Sequence, residues 1–148
     1  MQLHGDESPE FARSLFRGGG RKSRDQMRVF KTLHVVAGLE GTARDFLREH
    51  CVDGLLLDSV VQAPEGGIER GGTGKTFDWH RLSGLLPDVQ RETRVIVAGG
   101  LSPENVAEAI RILQPWGVDV CSGVEASAGK KDVRKIQRFV EAARAAGS

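Results

Sequence analysis

Short apolar runs alternate along this chain with stretches in which apolar residues recur at three- and four-residue spacing. That alternation predicts parallel strands joined by crossover helices, because a strand buried on both faces reads as a near-continuous apolar segment. Strands are predicted over residues 27–36, 52–58, 94–98 and 118–122, and helices over residues 8–17, 42–50, 77–86, 103–113 and 132–145. One helix start is chemically explicit: Ser102 caps free amides, Pro103 occupies the first helical position, and Glu104 complements the dipole. In that helix Val106, Ala109, Ile110 and Leu113 form one stripe, and in the last helix Val133, Ile136, Phe139 and Val140 form another. Both stripes are predicted to face the core. The run Gly18-Gly19-Gly20-Arg21-Lys22-Ser23 interrupts the pattern and reads as a surface linker.

Composition narrows the class. With 148 residues, 39% hydrophobic and 28% charged, the chain is expected to be a single soluble domain over residues 1–148. Its 21 Lys and Arg nearly balance 20 Asp and Glu, and aromatic residues make up 5%, so it offers neither a positive field nor stacking platforms for nucleic acid. No signal-peptide pattern opens the sequence and no apolar run reaches the roughly 18 residues of a membrane span, which predicts a cytoplasmic protein with no membrane partner. Cys51 and Cys121 are too few for a disulfide framework and too far apart for a CxxC metal or redox motif.

In parallel α/β sheets ligands bind outside the carboxyl ends of the strands, so polar residues there are the chemical candidates. The run Gly54-Leu55-Leu56-Leu57 ends in Asp58, a carboxylate placed either to donate a proton from a partly desolvated site or to cap the following loop. The run Val95-Ile96-Val97-Ala98 ends in Gly99 and Gly100, and Val118-Asp119-Val120-Cys121 ends in Ser122 and Gly123. Glycines between a strand and a helix let an anion reach backbone amides, although each end alone also reads as a tight turn. Two such ends in successive units match a barrel phosphate site. The segment from Gly66 to Thr76 ends like a nucleotide-binding P-loop, but Glu69 stands where that motif needs glycine and the segment does not follow its strand directly. It reads as a lid carrying Gly72, Thr73, Gly74 and Lys75, not as an ATP or GTP site. Cys121, without an obvious basic neighbour in sequence, reads as a small packing residue, as does Cys51.

The ordered set Gln2-Leu3-His4-Gly5, Leu56-Leu57-Asp58-Ser59, Gly71-Gly72-Thr73-Gly74-Lys75-Thr76-Phe77-Asp78-Trp79, Ala98-Gly99-Gly100-Leu101 and Asp119-Val120-Cys121-Ser122-Gly123-Val124-Glu125, followed by Gly129-Lys130-Lys131-Asp132, resembles the phosphoribosylanthranilate isomerases of tryptophan biosynthesis. The resemblance covers nearly the whole chain. It implies an α/β fold, a parallel β/α barrel of TIM type, and an Amadori rearrangement of N-(5-phosphoribosyl)anthranilate to 1-(2-carboxyphenylamino)-1-deoxyribulose 5-phosphate without cofactor or metal. It assigns Asp58 as general acid, sets the substrate phosphate near Gly99, Gly100, Ser122 and Gly123, and places Asp119 and His4 on the pocket wall. On its own His4 reads as a surface or loop histidine.

The sequence also departs from the family pattern. Neither the opening strand with a Lys-x-Cys-Gly motif, whose Cys is the family's general base, nor the arginine after the second strand is present. The chain begins at the carboxyl end of what corresponds to the fourth strand, which implies an incomplete barrel of about four and a half βα units, without the first three, and a truncated form of the enzyme. Such a half-barrel is expected to be weak or inactive alone and to dimerise, aggregate or require the missing N-terminal half. Two other readings share the phosphate ends: a different phosphosugar barrel enzyme, such as an indole-glycerol-phosphate synthase or a histidine-pathway isomerase relative, and a non-catalytic phosphate-binding half-barrel.

Overall fold

The computed structural model describes residues 1–17, 27–36, 38–58, 60–62, 68–70 and 79–147. Its centre is a five-stranded parallel sheet of β1 (Gln2–Leu3), β2 (Phe30–His34), β3 (Gly54–Asp58), β6 (Arg94–Val97) and β7 (Gly117–Val118), in the order β1-β2-β3-β6-β7. Sequential order with every pair parallel is what successive crossover units produce. Helices α1 (Pro9–Arg17), α2 (Leu39–Arg48), α3 (Trp79–Ser83), α4 (Leu86–Glu92), α5 (Val106–Leu113) and α6 (Val133–Ala146) lie between or after the strands. Leu55, Leu57, Val95 and Val97 point to the helix side and are buried with Phe46, Leu86, Val106 and Ala109 in one core. Gly54, Leu56 and Asp58 take the opposite face, because successive strand residues alternate. The sheet therefore divides its residues into a packing face and a face whose carboxyl end carries polar groups.

The predicted strands are present but shorter, and several connections differ from expectation. The predicted helix 77–86 divides into α3 and α4, because Gly84 and Leu85 form a turn and Pro87 starts a new helix that runs to Glu92. Part of the predicted lid is strand: β5 (Ile68–Arg70) pairs antiparallel with β4 (Val60–Gln62), which precedes the lid. The lid residues Gly72, Thr73, Gly74 and Lys75, and the linker Gly18 to Ser23, lie outside the described residues. After β7 the chain makes a 3₁₀ turn, Ser122–Val124, and a small antiparallel hairpin of β8 (Glu125–Ser127) and β9 (Lys130–Lys131), neither of them predicted.

The cap of α6 behaves as its chemistry dictates, whereas α5 begins later than expected, at Val106, with Pro103 to Asn105 in a turn rather than in the first helical positions. Ser102 Oγ accepts from the Glu104 amide at 3.2 Å while Asn105 Oδ1 accepts from the Ser102 amide at 2.8 Å, a reciprocal cap set just ahead of α5. Asp132 caps α6 by accepting from the amides of Arg134 and Lys135 at 2.8 and 3.3 Å. The α6 stripe requires a correction: Phe139 is buried, but Val133 is 67%, Ile136 38% and Val140 37% exposed. Its apolar spacing is helical as expected, yet it extends beyond the surface that the other described elements cover.

Candidate active site

At the carboxyl ends of the sheet a cavity of about 160 Å³ brings together residues from four strand ends. Gln2 and His4 come from β1, Leu56 and Asp58 from β3, Ala98 to Leu101 from β6, and Asp119 to Ser122 from β7. Six of the sequence-predicted residues thus share one wall: His4, Asp58, Gly99, Gly100, Asp119 and Ser122. A larger groove of about 570 Å³ lies by the amino ends of β3 and β6, against Asp53, Arg94 and Trp116, away from these groups. The carboxyl ends are where parallel α/β sheets hold ligands.

The two glycine-bearing loops are built around each other. Gly99 and Gly100 both have positive φ, 78° and 66°, which lets the chain turn sharply from β6 toward α5. Asn105 then ties this turn down, its amide nitrogen donating to the Gly100 carbonyl at 2.9 Å. Gly123 lies so close to the same turn that a Cβ there would stand 1.8 Å from the Leu101 carbonyl oxygen. Only glycine allows this approach, so the Ser122-Gly123 loop and the Gly99-Gly100 loop form one continuous surface. Backbone without Cβ atoms on both sides is a setting in which amides can meet a phosphate.

Asp58 ends β3 in register with His34, which ends β2. His34 is the functional candidate that the sequence reading missed. Its signal was the same as that of Asp58, a polar residue closing an apolar run, but extending the predicted strand to residue 36 concealed it. The His34 ring stands edge-on to that of His4, with centroids 5.8 Å apart. Asp58 and His4 therefore line the cavity with the glycine loops, while His34 stands beside His4 and lines the neighbouring hollow with Glu7 and Lys31.

Cys121 also needs correction. It is exposed rather than packed, and Lys131 from β9 brings its ammonium to 3.3 Å from the thiol sulfur and 2.7 Å from the Cys121 carbonyl. The same ammonium donates to Glu125 at 2.9 Å, and the other Glu125 oxygen accepts from the Gly129 amide at 3.1 Å. The Lys131 hydrogen bond, then that of Gly129, holds the Glu125 carboxyl below its ordinary value, and Glu125 in turn raises the Lys131 ammonium. This hairpin staples the end of the Ser122-Gly123 loop. Cys51 is buried, as its packing role requires. Among the described residues no group of three or more His, Cys, Asp and Glu side chains converges as metal ligands, and no helix is long and apolar enough to cross a membrane.

Known proteins match this chain along its length. The profile described as N-(5'phosphoribosyl)anthranilate (PRA) isomerase matches residues 1–142. The N-(5'-phosphoribosyl)anthranilate isomerase of Methanocella arvoryzae is 41% identical over 145 residues, covering 97% of this chain and 61% of that protein. The crystal structure of phosphoribosyl anthranilate isomerase from Thermotoga maritima superposes with a TM-score of 0.69 at 38% identity, over 97% of this chain and 60% of that one. A phosphoribosyl anthranilate isomerase in complex with reduced 1-(o-carboxyphenylamino)-1-deoxyribulose 5-phosphate is 33% identical with a TM-score of 0.65, over 97% of this chain and 58% of that one. The chain thus spans about 60% of the length of the relatives it matches.

Proposed function

The chain belongs to the N-(5'-phosphoribosyl)anthranilate isomerase family, and from that premise we propose that its strand-end cavity serves the aldose-ketose isomerisation of N-(5-phosphoribosyl)anthranilate to 1-(2-carboxyphenylamino)-1-deoxyribulose 5-phosphate, a step of tryptophan biosynthesis. The observation that carries the reading is the placement of Asp58 in one cavity with two glycine loops that Gly123 locks together. A phosphosugar requires both parts: amides that hold the phosphate and an acid that reaches the sugar ring. The five parallel strands form an arc of a TIM-type β/α barrel, and the edges of β1 and β7 pair with further strands, from a second copy or from the family's N-terminal units. The protein works in the cytoplasm.

In the proposed reaction the phosphate sits on the amides around Gly99, Gly100, Ser122 and Gly123, and Asp119 and His4 line the sugar. Asp58, protonated, gives its proton to the ribose ring oxygen. The C1–O bond breaks, and the nitrogen lone pair forms the C=N of a Schiff base. That iminium acidifies the C2 proton; its removal by a base gives an enolamine, and tautomerisation leaves a ketone at C2 and a secondary amine at C1. The family's base is the Cys of a Lys-x-Cys-Gly strand, a motif this sequence does not contain. Proton donation by a positioned acid is worth about 10²- to 10⁴-fold in rate. Turnover is followed through loss of anthranilate fluorescence by the purified chain. Without the family's base the conversion is expected to be weak, and whatever conversion there is to be lost in Asp58→Asn; conversion that Asp58→Asn leaves intact overturns the assignment.

A further inference from the structure

Two networks meet at His4, one on its ring and one on its backbone. On the ring side, the Gln2 carboxamide nitrogen lies 3.4 Å from His4 Nδ1 and 3.0 Å from Thr32 Oγ1. A carboxamide nitrogen only donates, so its two hydrogens serve two acceptors and Nδ1 receives one of them. A neutral imidazole whose Nδ1 accepts carries its proton on Nε2. Thr32 is buried on β2, which fixes the far end of this relay.

On the backbone side, Gly5 follows His4 directly and is held at both of its polar groups. Its amide donates to the Glu7 carboxylate, at 3.2 and 3.0 Å to the two oxygens, and its carbonyl accepts from Lys31 Nζ at 2.6 Å. Lys31 is only 3% exposed, and its ammonium also donates to Glu7 at 3.0 Å and stands 5.8 Å from the centre of the Phe46 ring. Burial alone would raise the Glu7 carboxyl, but the Lys31 hydrogen bond, with the charge of Lys31 and the Gly5 amide, outweighs it and holds the group below its ordinary value. A buried ammonium keeps its place only where its partners are fixed, so this ion pair orders the turn that carries His4.

We propose that Gln2, Lys31 and Glu7 are positioning residues for His4: the carboxamide sets the Nε2–H tautomer and the buried ion pair fixes the turn, so that His4 presents a hydrogen-bond donor to an acceptor oxygen of the phosphorylated aminosugar. The ligand half of this statement rests on the isomerase reading. The tautomer half does not.

The test uses the 148-residue chain labelled with ¹⁵N at histidine, whose long-range proton-nitrogen spectrum distinguishes the two tautomers. The parent is expected to show His4 with the proton on Nε2, and Gln2→Met, a change at an exposed residue that the fold tolerates, is expected to bring in the Nδ1–H form. Gln2→Met and Lys31→Met are each expected to weaken binding of reduced 1-(o-carboxyphenylamino)-1-deoxyribulose 5-phosphate roughly tenfold, the worth of one good hydrogen bond. A parent His4 that carries its proton on Nδ1, or a spectrum unmoved by Gln2→Met, overturns the proposal. A parent that has the Nε2–H form, loses it in Gln2→Met, and neither binds the analogue nor turns over substrate supports the positioning of His4 and removes the isomerase reading instead.

Discussion

At the scale of single residues, the site depends on a few side chains and on one missing Cβ. Gly123→Ala places a methyl group 1.8 Å from the Leu101 carbonyl, so the two loops must separate. The expected outcome is a loss of about 1–3 kcal/mol of stability in urea unfolding, together with weaker binding of the substrate phosphate. Unchanged binding by a folded Gly123→Ala chain would mean that the loops do not act as one surface. Glu125 and Lys131 make a prediction in pH. The Glu125 carboxyl is depressed, so its contribution is present above its unfolded value and is lost as pH falls through the folded one. The Lys131 ammonium is raised, so its contribution is complete below its unfolded value and is lost as pH rises through the folded one. The hairpin is therefore intact at neutral pH and loosens only at the two extremes. The Gly129 amide resonance, which reports on Glu125 through their hydrogen bond, is expected to titrate below the ordinary carboxylate range and to move upward in Lys131→Met. A midpoint that Lys131→Met leaves in place contradicts the clamp.

At the scale of elements, residues that act through their immediate neighbours were legible in the sequence. Asp58, Gly99-Gly100 and Ser122-Gly123 announced themselves because an apolar run stopping in a carboxylate or in glycine is a local signal. Asp132 was legible as the start of α6 because a carboxylate directly ahead of a helical apolar stripe is also a local signal. Asp132→Ala is expected to cost about 1 kcal/mol in the urea midpoint, since two amides of the first turn lose their acceptor. What was hidden depends on partners brought together by folding. Lys31 lies within an apolar run, and nothing near it in sequence names Glu7, 24 residues away, as its partner. Cys121 lacked a basic neighbour in sequence because Lys131 reaches it only when β8 and β9 fold back, 10 residues later. The turn at Gly84 and Leu85 was missed because the apolar spacing of α3 and α4 continues across it.

At the scale of the molecule, the parallel order of the sheet followed from the alternation of apolar runs and helical stripes. What covers its flanks did not. Periodicity marks an apolar face on α6, but Val133 is largely uncovered and Ile136 and Val140 partly so, and Phe11 on α1 and Trp116 before β7 are exposed as well. The edge strands β1 and β7 add unpaired backbone groups that also invite association. Sedimentation velocity is expected to show self-association that rises with protein concentration and that Ile136→Glu with Val140→Glu reduces. A single monomeric species across the concentration range contradicts this account of the exposed faces.

The central claim is that Asp58 and the paired glycine loops form one site in which the loops bind and the carboxyl group transfers a proton. Asp58→Asn preserves the shape of the side chain and removes only its acid function, so the most direct measurement is its turnover beside its affinity for reduced 1-(o-carboxyphenylamino)-1-deoxyribulose 5-phosphate. The account predicts turnover lower by about 10²- to 10⁴-fold with analogue affinity close to that of the parent chain. Parent-like turnover by Asp58→Asn, or loss of analogue binding with turnover retained, would contradict it.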